Sequence, residues 1–80
     1  MHEFHLVENI IENVITKASE GNHKKVAAIN VVLGKDSHVT DENLKFLIEL
    51  RSKETVADGA QINVKLAEGN NVFVESIDVE

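Results

Sequence analysis

Lys25-Val26-Ala27-Ala28-Ile29-Asn30-Val31-Val32-Leu33-Gly34 is the stretch that decides the fold. It is a short apolar run rich in β-branched residues and closed by a glycine, which reads as a strand over residues 25–34. Ala27, Ile29, Val31 and Leu33 fall on one face at period two. Val26, Ala28 and Val32 leave the other face mostly apolar as well. A strand apolar on both faces is expected at the centre of a sheet, covered on both sides.

Upstream, Leu6, Val7, Ile10, Ile11, Val14, Ile15 and Ala18 recur at helical spacing, and Glu8, Asn9, Glu12, Asn13 and Lys17 fall largely opposite. This predicts an amphipathic helix over residues 5–20, stopped by Gly21-Asn22. Downstream, Thr40 suits an N-cap, with Asp41 and Glu42 in the first turn where carboxylates favour the helix dipole. That helix runs to about Ser52, its apolar face drawn from Leu44, Phe46, Leu47, Ile48 and Leu50. After a connector at 55–59, Ala60, Ile62, Val64 and Leu66 alternate with Gln61, Asn63 and Lys65, a strand with one buried face. A turn through Glu68-Gly69-Asn70-Asn71 leads to a last strand at 72–79. Val72 and Val74 differ in parity from Ile77 and Val79, so a bulge is expected near Glu75-Ser76.

The order α-β-α-β-β implies an α+β fold: a small mixed three-stranded sheet with two helices packed on it. The first two strands, joined through a helix, should be parallel with a right-handed crossover. The last two should form an antiparallel hairpin. The chain of 80 residues has room for one domain, 1–80.

The bulk numbers narrow the function. Net charge is −6, and the only aromatics are Phe4, Phe46 and Phe73. With no basic stripe, nucleic acid and anionic membrane surfaces are poor partners; basic protein surfaces or metal cations suit the field better. No apolar run has the length of a membrane span, and the acid- and histidine-bearing start does not resemble a secretory signal, so a cytoplasmic protein is the expectation. The absence of cysteine excludes disulfides, thiolate zinc sites and a cysteine nucleophile. Stability must then come from a small core; dimerisation is a common remedy, and a homodimer is left open.

The familiar catalytic patterns are absent: no phosphate loop, no nucleophile elbow, no zinc-protease helix motif. The numerous carboxylates read as a solvated surface. Of the four histidines, His23 and His38 fall in loops and His5 at the start of the first helix. His2 differs because of its position. A free amine on Met1 and the amide nitrogen of His2 close one chelate ring on a metal. The imidazole Nδ1 of His2 closes a second ring with that amide. Three nitrogens in a plane favour Ni(II) or Cu(II), which prefer square-planar or tetragonal geometry.

Met1-His2-Glu3 followed by Leu6-Val7 and an amphipathic helix resembles the start of the HypA family of hydrogenase and urease nickel-insertion proteins. The stretch 26–34 is similar to that family's first strand, and 39–50 to its second helix. Residues 53–60 are similar to its connector, and 72–80 to its closing strand. The resemblance covers nearly the whole chain and rests on length and order more than on one motif. Two departures stand out. Lys35 follows the glycine where the family usually has an acid. The two Cys-x-x-Cys pairs that normally bind a structural zinc between the last two strands are replaced by Ala67-Glu68-Gly69-Asn70-Asn71.

The resemblance implies a nickel-binding metallochaperone domain and not an enzyme, with no zinc. His2 would be the nickel ligand, beside the Met1 amine. Glu3 would contact a partner or offer a further backbone nitrogen. The fourth ligand, which in some family arrangements comes from a histidine near the zinc module, would fall here to His5 or to the Glu3 amide. The implied partners are a HypB-like nickel-binding GTPase and the hydrogenase large subunit. A second reading keeps the docking surface and drops the metal: an interaction module without nickel. A third, a small enzyme or sensor, would need a deep pocket with convergent polar groups.

Overall fold

The computed structural model describes the backbone of residues 2–80 and the side chains from residue 5 onward. Helix α1 (His2–Glu20) precedes strand β1 (Val26–Gly34), helix α2 (Asp41–Ser52) and strands β2 (Gln61–Ala67) and β3 (Val72–Val79). This is the α+β architecture that the sequence predicts. Helix α1 starts at His2, three residues earlier than the apolar pattern alone suggests. At α2 the Thr40 hydroxyl accepts from the Asn43 amide at 3.2 Å, the expected N-cap.

The sheet order is β2-β1-β3. Strand β1 is central and parallel to β2, with Ile29 beside Ile62 and Val31 beside Val64. The expected hairpin between the last two strands does not form. Strand β3 pairs antiparallel with β1, with Ile29 opposite Ile77, so β2 and β3 flank β1 and do not touch as a ladder. The physical reason is that β1, the most apolar strand, gains most from being hydrogen-bonded on both edges. Two strand spacings amount to roughly 9.6 Å, a gap that four connecting residues span easily.

That connector crosses the end of β1. The Gly34 amide donates to the Asn71 carbonyl at 2.7 Å, Lys35 to Ala67 at 2.9 Å and Asp36 to Gly69 at 2.8 Å. A β-carbon on Gly34 would lie 2.5 Å from the Gly69 carbonyl oxygen and 2.8 Å from both backbone N and O of Asn71. Glycine is required there because backbone passes directly over it.

Two irregularities align the faces. The pairing of Asn30 with Ser76 and of Val31 with Val74 skips Glu75, the expected bulge. A second shift skips Ala27, since Val26 pairs with Val79 and Ala28 with Asp78. Val72, Val74, Ile77 and Val79 therefore pair with Leu33, Val31, Ile29 and Val26 on one face. Val26 thus joins the core and Ala27 leaves it, the reverse of simple alternation.

Val7, Ile10, Ile11, Val14 and Ala18 of α1 and Leu44 and Ile48 of α2 pack on that face with Val26, Ile29, Val31, Leu33 and Ile62. The opposite face carries no helix, against the expectation of cover on both sides. Its centre is a chain of side-chain hydrogen bonds. Gln61 Nε2 donates to Asn63 Oδ1, Asn63 Nδ2 to Asn30 Oδ1 and Asn30 Nδ2 to Ser76 Oγ. Ala28 and Val32 are nonetheless buried, and they project to this same side.

Candidate metal centre

Helix α1 positions the candidate site. Its apolar stripe from Val7 to Ala18 seats it on the sheet, and residues 21–25 return the chain directly into β1. By that connectivity α1 runs against β1, so its N-terminus lies toward the end of the sheet where the connector crosses Gly34. Asn22 ends the helix in a left-handed conformation (φ 57), and the His23 amide reaches the Ala18 carbonyl at 2.9 Å. Glu8, one turn further along α1 than the site, pairs with Arg51 of α2.

Of the predicted site residues, Met1 and the side chains of His2 and Glu3 lie outside the described residues. The backbone of His2 and Glu3 is the first turn of α1. The first four amides of a helix have no intrahelical carbonyl partner. The His2 and Glu3 amides are thus at the one place in α1 where a nitrogen can be given to a metal without breaking a helical hydrogen bond. His5 is exposed on α1 and stands three residues after His2, a spacing that places residues on one helix face. His23 and His38 are exposed in loops, His38 in a left-handed conformation (φ 65).

Among the described residues, no group of three or more His, Cys, Asp or Glu side chains is close enough to hold a metal. The hollow lined by Glu49, Ser52, Lys53 and residues 57–60 is an open groove of small and exposed polar residues. It does not gather the buried, convergent set that catalysis needs. Among the described residues, no helix is long and apolar enough to cross a membrane.

Two features escape the sequence reading. Phe46 and Leu50, assigned there to the apolar face of the second helix, are 62% and 47% exposed. Leu66, assigned to a buried strand face, is 58% exposed near the end of β2. The signal available for α2 was angular: Leu44, Ile48 and Ser52 form one stripe, with Phe46 on the far side.

A family described as hydrogenase/urease nickel incorporation, metallochaperone, hypA matches residues 1–76. The chain is 25% identical to a hydrogenase maturation factor HypA from Dehalococcoides mccartyi strain CBDB1 over 113 residues, covering 100% of this chain and 95% of that relative. That alignment is longer than this chain, so the relative carries sequence with no counterpart here. A HypA from Archaeoglobus fulgidus is 35% identical over 66 residues, covering 82% of this chain and 60% of its own length. Among solved structures, the solution structure of the Ni metallochaperone HypA from Helicobacter pylori superposes with a TM-score of 0.72 at 17% identity. It covers 92% of this chain and 70% of that one, a likeness of fold.

Proposed function

Because the chain belongs to the HypA family of hydrogenase/urease nickel-incorporation metallochaperones, we propose that its N-terminal end carries Ni(II) as cargo during the maturation of nickel-iron hydrogenase or of urease. The family is one of maturation factors and not of catalysts. The observation that carries the site is the start of α1 at His2, which leaves the His2 and Glu3 amides without helical partners.

Four nitrogens supply a square plane: the Met1 amine, the His2 amide, His2 Nδ1, and either the Glu3 amide or an imidazole nitrogen of His5. Nickel takes the place of the amine and amide protons, which pass to solvent, so binding strengthens as pH rises. Release follows the reverse course: reprotonation of the amide opens the central chelate and frees the ion for a better thiolate or carboxylate site. A chelate at the end of the chain suits handover, because a receiving site can approach it without unfolding the core.

The partners consistent with this role are a HypB-like GTPase and the hydrogenase large subunit, met in the cytoplasm. No zinc is part of the account, since the chain holds no cysteine and the stretch 67–71 stands where the family's zinc module is expected. Calorimetry with Ni(II) tests the reading: binding at one equivalent, lost in His2→Ala and lost when residues are added before Met1. Equal affinity in all three chains would remove nickel from the account. The remaining reading would then be a metal-free module that docks the GTPase or the hydrogenase subunit.

A further inference from the structure

We draw no further inference here: the strongest candidate, the exposed apolar stripe of Phe46 and Leu50 on the outer face of helix α2, carries none because nothing in the structure shows what covers it.

Discussion

At the scale of single residues, the consequential positions are those where backbone passes close to backbone. Gly34 accommodates the connector, and its amide is one of three that hold it. Gly34→Ala forces a methyl against backbone that cannot rotate away, so a loss of about 1–3 kcal/mol is expected, read as a lower urea midpoint. An unchanged midpoint would mean that the connector does not lie on Gly34. The glycine was visible in the sequence only as a strand terminator, because the segment that crosses it lies far along the chain. Glu75 was legible from parity alone, since Val74 and Ile77 cannot share a face without an extra residue. Ala27 was not: both alternations through 25–34 are apolar, and only the partner strand shows which residue is skipped. His2 is proposed on other grounds, its place in the sequence next to Met1.

At the scale of elements, the helices were readable because apolar residues recur at helical spacing and Thr40 marks an entry point. What spacing could not tell was how much of a broad stripe the sheet would cover. Three strands offer α2 a narrow seat, which Leu44 and Ile48 fill at 0% exposure, and Phe46 and Leu50 are left outside. Ile48→Ala is expected to cost about 2–5 kcal/mol, as for other buried large-to-small changes. Leu50→Ala should stay within about 0.5 kcal/mol. Urea unfolding of the pair at low concentration checks both numbers; comparable losses would place Leu50 in the core. The Glu8–Arg51 pair joining the helices is more than a third exposed on both sides, so screening holds its contribution to about 1 kcal/mol or less.

At the scale of the whole molecule, the composition foretold a small core without disulfide or thiolate metal site, while strand order was hidden. A short turn between two alternating runs ordinarily signals a hairpin. Here the central place went to β1 because it was the strand with most to gain from two neighbours. The fold closes with a short connector over Gly34 and the chain holds no cysteine, so its stability is expected to be independent of zinc. Adding EDTA is expected to leave the thermal midpoint of the purified chain unchanged, and a fall of several degrees would reveal a structural metal. The candidate site is proposed from the opening residues of the sequence; the fold adds the helix that begins at His2 and the amides of its first turn, which have no intrahelical partner.

The central claim is that the N-terminal end binds nickel through its own backbone, and an absorbance titration with Ni(II) tests it most directly. The account predicts a weak yellow band of square-planar Ni(II) that saturates at one equivalent and is abolished by acetylating the Met1 amine or by His2→Ala. A band that survives both changes, or the pale green of six-coordinate nickel without it, would contradict the account.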